Sequence, residues 1–274
     1  MKAVKGAALL WVLWVLMLGS ALVAVLVNTS TTQQAQASIS RNVSQDKALA
    51  DAGLALAVWH LDPQSPAVYW PPDGHTYTER IANTDVQISI SDEMAKIDIN
   101  QASQTLLQRL LMQCGQPSDT ARKVSANVVD WRDSDDLLNL PESAEQAQYQ
   151  SAGRRFGPSN RPFETISDLK RVLGVDDALY QAIAPFITVH SGLASPTQTY
   201  ASETVLQSLG SDALTLQALQ APVRGSGTYQ VKVKIERKDR ADYLLNVIVR
   251  LDQKTQAGLG YRVLSLSKDV GDVK

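Results

Sequence analysis

Hydrophobic and polar positions follow several successive rhythms along the chain. The first is unbroken: Ala7–Val27 (AALLWVLWVLMLGSALVAVLV) is a run of 21 apolar or small residues. At 1.5 Å rise per residue it predicts about 31 Å of helix, enough to cross a hydrocarbon core of roughly 30 Å. No charge falls between Gly6 and Ser40. Lys2 and Lys5 precede the run and the next basic residue is Arg41, so the positive-inside rule leaves the N-terminus in the cytoplasm and exports the rest. A secretory signal peptide is the alternative, with Ala35-Gln36-Ala37 imitating its cleavage site. Its apolar region is usually about 7–15 residues, shorter than this one.

The rhythm then becomes helical. Ala48, Leu49, Ala52, Ala55, Leu56 and Trp59 recur at three- and four-residue steps. This predicts that residues 28–61 continue the membrane helix, as one element ended at Asp62-Pro63. From Tyr69 to Asn100 the period is two: Val86, Ile88 and Ile90, then Ile97 and Ile99, alternate with polar residues and read as strands, with a turn at Pro71–His75. From 101 to 185 four helical faces follow: Leu106–Leu111 after a Ser103 cap, Ala121–Val129 after a Ser118 cap, Ile166–Leu173 stopped by Gly174, and Leu179–Ala184 stopped by Pro185. Residues 130–163 between the second and third read as a polar loop. Beyond 186, period-two alternation returns at Val231–Ile235, Leu245–Leu251 and Tyr261–Leu266, with one further helix at about 202–209. That helix is half of a weak repeat: Ala102–Leu110 and Ala201–Leu209 agree at six of nine positions.

The fold class predicted is α+β. A long N-terminal helix (7–27 in the membrane, 28–61 beyond it) leads into an antiparallel sheet head, 62–99 and 191–274. An all-α segment at 100–190 interrupts the sheet.

Charge and composition narrow the function. The chain carries 26 Lys+Arg against 28 Asp+Glu, without the basic excess of a general nucleic-acid binder. Cys114, the single cysteine, cannot form an internal disulfide and is either a buried free thiol or half of an intermolecular bond. His60, His75 and His190 are isolated, and there is no phosphate loop, nucleophile elbow or His-Glu-x-x-His, so no enzyme is predicted. The helix–Gly174–helix stretch is shaped like half of a helix-hairpin-helix, but Asp176 and Asp177 occupy the helix N-terminus that would hold phosphate. Residues 130–145 place Asp130, Asp133, Asp135, Asp136, Glu142 and Glu145 against Arg132 alone, a local net of −5. Such crowding is either solvated surface or a cation site, and an oxygen-only donor set suits Ca²⁺. The spacing is not that of an EF-hand.

Residues 1–27 resemble the export signal of type IV pilins and type II secretion pseudopilins: a short basic leader ending in Gly6, followed directly by the apolar helix. Further motifs are similar to one branch, the protein K (GspK) family of large minor pseudopilins. They are Lys96–Asn100 with Ala102-Ser103, Asp130–Asp136, Pro158–Phe163, Ile166–Leu169 with Leu173–Val175, Pro185–Val189 and Tyr261–Ser265.

The resemblance implies prepilin-peptidase cleavage between Gly6 and Ala7, N-methylation of Ala7, and a single-pass inner-membrane protein with a SAM-like or helix-hairpin-helix-like domain in its periplasmic head. It implies Ca²⁺ at Asp130, Asp133, Asp135, Asp136 and Glu142, with no other cofactor. Trp11 stands where most members carry Glu, which suits a subunit at the tip of the pseudopilus. The implied partners are minor pseudopilins of the I and J types, the major pseudopilin, the prepilin peptidase, the inner-membrane assembly platform, exoproteins and the secretin, and no nucleic acid. A minor pilin of a type IV pilus or competence system is the near alternative; a membrane-anchored DNA-uptake protein is the distant one.

Overall fold

The computed structural model describes residues 5–61, 69–138, 140–141, 143–210, 225–237, 241–252 and 260–270, with side chains except at 5–9, 24–35 and 269–270. The chain divides into two compact units, Met1–Asp51 and Ala52–Lys274.

Helix α1 (Lys5–His60) is continuous, as the apolar run followed by a helical stripe requires. Among the described residues, no helix is long and apolar enough to cross a membrane. The span expected at 7–27 lies within α1 but extends beyond its described side chains, which there cover 10–23. Over that part every large apolar side chain is exposed. The Asp62-Pro63 stop lies outside the described residues, and α1 ends just before it.

In the second unit the last turns of α1 bury Leu54, Ala57, Val58 and Leu61. A Cβ at Gly53 would lie 2.9 Å from Val233 Cγ1 and 3.4 Å from Val86 Cγ1, so only glycine lets this helix approach the sheet so closely. His60 stacks on Trp70 at 3.7 Å and Trp70 on Tyr77 at 4.1 Å, which ties the helix end to the first strand.

The sheet has five antiparallel strands in the order β1 (Asp73–Ile81), β2 (Thr84–Asp92), β5 (Thr228–Ile235), β6 (Tyr243–Leu251) and β7 (Tyr261–Val270). Val86, Ile88, Ile90, Val231, Val233, Ile235, Leu245, Val247 and Val249 are buried, and their neighbours in sequence point the other way. Lys232 and Lys234 take that outer face, as their alternation with Val233 and Ile235 predicts. The first hairpin turns at Ala82-Asn83 (φ +46° and +64°), a two-residue turn of the type that matches strand twist. The turn expected at Pro71–His75 is instead the irregular start of β1, with a register shift between Asp73 and Thr76.

Between β2 and β5 in the chain lie α2 (Gln104–Gln113), α3 (Ser118–Arg132), α4 (Gln146–Ser151), α5 (Asp177–Ile183) and α6 (Glu203–Leu209). Ser103 and Ser202 cap α2 and α6 with nearly the same backbone angles, and Arg109 on α2 donates to Leu209 O on α6 at 3.1 Å, so the two repeat copies share an entry and touch. Five expectations need correction. Pro117, not Ser118, precedes α3, because Ser118 is already its first residue. The third helical face, Ile166–Arg171, is a 3₁₀ helix, and α4 forms inside the stretch read as loop. Ile97 and Ile99 do not share a longer strand: β3 is only Ile97–Asp98. Nor is 100–190 wholly helical: it ends in β4 (Ile187–Thr188), paired in parallel with β3, and buried Ile97 and Ile187 join a core with Leu110, Val124 and Leu179.

Ala82 carries a left-handed backbone that costs a non-glycine residue about 1 kcal/mol. Ala82→Gly should therefore raise the denaturant midpoint of the full chain without changing its slope. A midpoint that falls would show that the turn is not strained.

Candidate functional site

The acidic stretch follows the C-terminal end of α3. Trp131, facing inward from the last turn, packs on Phe163 (6.1 Å between ring centres, nearly parallel), Tyr149 (5.9 Å) and Phe156 (6.5 Å). That aromatic cluster fixes the place where the loop begins. Arg132, next in sequence, turns the other way and donates to Ile99 O and, at 2.6 Å, to Ala102 O. Burial lowers the Arg132 pKa, while the charges of Asp98 and Asp133 oppose the shift. Asn100 completes the frame: its Nδ2 donates to Phe163 O at 3.0 Å and its Oδ1 accepts from Phe163 N at 2.8 Å. Three motifs far apart in sequence, 96–103, 130–136 and 158–163, thus meet.

Within the frame, Asp130 is fully buried and Asp133 is the residue that ends α3. Asp135 Oδ1 accepts from Leu137 N at 2.9 Å. Asn160, held at φ +47°, donates through Nδ2 to Asp136 Oδ1 at 3.0 Å and to Asp135 O at 3.3 Å. Glu142 lies outside the described residues.

Glu145, just before α4, is the group that sequence reasoning left out of the candidate ligand set. It is 5% exposed. Its N–H donates to Gln148 Oε1 at 3.0 Å in a capping box that also turns the Gln148 N–H toward the Glu145 carboxylate, although neither carboxylate oxygen makes a hydrogen bond of ordinary geometry. Asn160 Oδ1 is buried and likewise without a donor. Burial, then the charges of Asp130, Asp133, Asp136 and Asp135 in that order, push the Glu145 pKa up to about 7. Four of the five sequence candidates therefore act electrostatically on one buried carboxylate. Among the described residues, no three His, Cys, Asp or Glu side chains are gathered closely enough to hold a metal ion. The fit to a cation rests on chemistry: buried oxygen acceptors lacking donors, in a negative field, are what Ca²⁺ satisfies.

The other candidates are not brought to this loop. Gly6 and Ala7 lie in the backbone of α1, and Trp11 is 74% exposed on it. Cys114, at the end of α2, is a half-buried free thiol; its Sγ donates to Ala182 O at 3.7 Å and burial raises its pKa. Gly174 has φ +89°, and Asp176 Oδ1 accepts from Leu179 N at 2.8 Å, so the N-terminus of α5 already has its carboxylate. Asp177 pairs with Lys170 at 2.8 Å.

Residues 86–192 match the family described as "Type II secretion system (T2SS), protein K". The resemblance read from the sequence holds. The chain is 28% identical over 204 residues to the type II secretion system protein K of Klebsiella pneumoniae, an alignment covering 67% of this chain and 62% of that one. It is 26% identical over 209 residues to the protein K of Pectobacterium carotovorum subsp. carotovorum, with the same shares. The chain thus spans under two thirds of the length of these relatives. Its fold is similar to a chain in the crystal structure of the GspK-GspI-GspJ complex from the enterotoxigenic Escherichia coli type 2 secretion system. There the TM-score is 0.62 at 15% identity, over 84% of this chain and 97% of that one.

A carboxyl whose folded pKa lies above its unfolded value suits the folded state only while protonated. For Glu145 that advantage is complete below about 4.5 and gone above about 7. In EDTA, the full chain in detergent should lose melting temperature from pH 5 to pH 8, and Glu145→Gln should flatten that loss. An equal loss in both would place the titrating group elsewhere.

Proposed function

We propose that this chain is a minor pseudopilin of type II secretion that helps initiate the periplasmic pseudopilus and caps its tip. The observation that carries the reading is the protein K match over 86–192, the segment that contains the framed acidic loop. The fold similarity to a chain of a GspK-GspI-GspJ complex supports partners of the I and J types.

In this reading the apolar run 7–27 anchors the chain in the inner membrane with its N-terminus cytoplasmic. The prepilin peptidase cuts between Gly6 and Ala7, and Ala7 is then N-methylated. The head stands in the periplasm, where the pseudopilus drives folded exoproteins through the outer-membrane secretin. A Glu at the position of Trp11 would put a carboxylate in the bilayer, costly by roughly 2.5–3.5 kcal/mol unless a neighbour's amine meets it. Trp11 makes no such demand, which suits a subunit with nothing above it. The major pseudopilin and the inner-membrane assembly platform are the remaining partners.

Gly6→Ala should leave the leader attached and stop secretion. The processed wild-type chain should co-elute with I- and J-type pseudopilins in detergent, once per complex. Normal processing of the variant, or no co-elution, would overturn the reading.

We also propose Ca²⁺ as the resident cation of the loop, whose binding would draw together ligands from among Asp130, Asp133, Asp135 and Asp136 with Glu142 and Glu145. A ligand that binds only the folded state stabilises it by mass action. Ca²⁺ should raise the melting temperature of the full chain over that in EDTA, and Asp133→Asn with Asp135→Asn should remove the increment. Identical curves with and without Ca²⁺ would leave the loop as solvated surface.

A further inference from the structure

Strand β1 opens on Asp73-Gly74, the one Asp-Gly step in a chain that has no Asn-Gly. Glycine has no Cβ, so in such a step nothing hinders its nitrogen from reaching the aspartyl side chain. Register adds to that freedom. Asp73 pairs with Ser91 and Thr76 with Ser89, so Gly74 and His75 together fall opposite Ile90. This is a bulge with glycine at its first position, at φ +86°, and a bulge interrupts the ladder. Among the described residues β1 pairs with β2 alone, so the bulge lies in an edge strand. Asp73, Gly74 and His75 are all exposed.

The Asp73 carboxylate is turned toward the glycine. Its Oδ1 accepts from His75 N at 2.8 Å, which folds the side chain back across the Gly74 peptide and draws electron density from the carboxyl carbon. Asp92, Asp98 and Asp135 likewise accept from the N–H two residues on, at 2.9, 2.8 and 2.9 Å. Asp92 and Asp98, however, are only 3% and 1% exposed. All three precede a residue that carries a side chain: Glu93, Ile99 and Asp136. Of these four carboxylates, Asp73 alone combines the turn, the exposure and the glycine.

We infer that Asp73 is a modification site, at which the folded chain forms isoaspartate without an enzyme. Gly74 N bonds to Asp73 Cγ, and the carboxyl hydroxyl leaves with the Gly74 N–H proton as water. A second water then opens the cyclic imide. Its attack on the Asp73 main-chain carbon leaves Gly74 attached through Cγ, with a free carboxylate on Cα; nothing is oxidised or reduced. The backbone thereby gains one carbon between Pro72 and Gly74, a covalent change that alters the packing argument for this edge. The gain falls where Pro72 O accepts from Asp92 N at 3.0 Å and Asp73 opposes Ser91, so the modified chain loses its grip on the end of β2. The inference concerns β1 and is independent of the secretion reading.

The full chain in detergent is held at pH 6 and 37 °C for several weeks, beside the same chain unfolded in urea. Isoaspartate is counted with an isoaspartyl methyltransferase and labelled S-adenosylmethionine, and located by electron-transfer fragmentation of the peptides. It should accumulate at Asp73 in the folded chain as fast as in the unfolded one, and not at Asp92, Asp98 or Asp135. Asp73→Glu, whose longer side chain disfavours the ring, should lose the signal. In the aged fraction, hydrogen exchange at the Asp92 amide should quicken. Isoaspartate at Asp73 in urea only, equal accumulation at Asp135, a signal that survives Asp73→Glu, or unaltered Asp92 exchange in the modified chain would each overturn the proposal.

Discussion

The antiparallel seam between β2 and β5 holds the head together. Val86 pairs with Ile235 and Asp92 with Tyr229, although residues 93–227 lie between the strands in sequence. Without that seam, β1 and β2 form an isolated hairpin, which is marginal in water, and α1 at Gly53 loses its contact with Val233. Polar bonds lock its end. Asp92 Oδ2 accepts from Ser226 N at 2.7 Å, and Lys96 bridges Glu93 and Gln230. Burial raises the Asp92 pKa despite the donors around it, so this lock is polar structure placed where only a satisfied group can stay.

The acidic loop depends on a second frame, built from the far side of the same segment. Arg132 spends its guanidinium hydrogen bonds on two carbonyls, Ile99 O and Ala102 O, while its charge still acts on Asp98 and Asp133. Within 130–145 six carboxylates face that one guanidinium, so the loop stays negative.

Much of this was legible because period-two and period-3.6 patterns report directly on burial. Val86–Ile90, Val231–Ile235 and Leu245–Leu251 are strands as read, and α2 and α6 begin at their serine caps. Turns were less legible. The Ala82-Asn83 hairpin carries no glycine, so nothing local outweighed the stronger signal at Pro71–Gly74. Ile166–Arg171 has a helical spacing of apolar residues that a 3₁₀ turn serves equally well over so short a stretch. In the site, Asp130, Asp133, Asp135 and Asp136 were found by crowding alone. Glu145 was counted in that crowd but not among the ligands, and Asn160 stood only in a motif, because burial, not spacing, makes them acceptors, and burial is set by Trp131, Tyr149 and Phe163 arriving from three separate segments.

The hydrogen bond from Ser226 N to Asp92 closes a loop. The chain leaves the sheet after Asp92 and is caught again at Ser226, so the point of departure and the point of return are one place. Whatever lies between can lengthen, shorten or be exchanged while β2 and β5 keep their register. A change of length between Asp92 and Ser226 is therefore mechanically uncoupled from the pairing of β2 with β5.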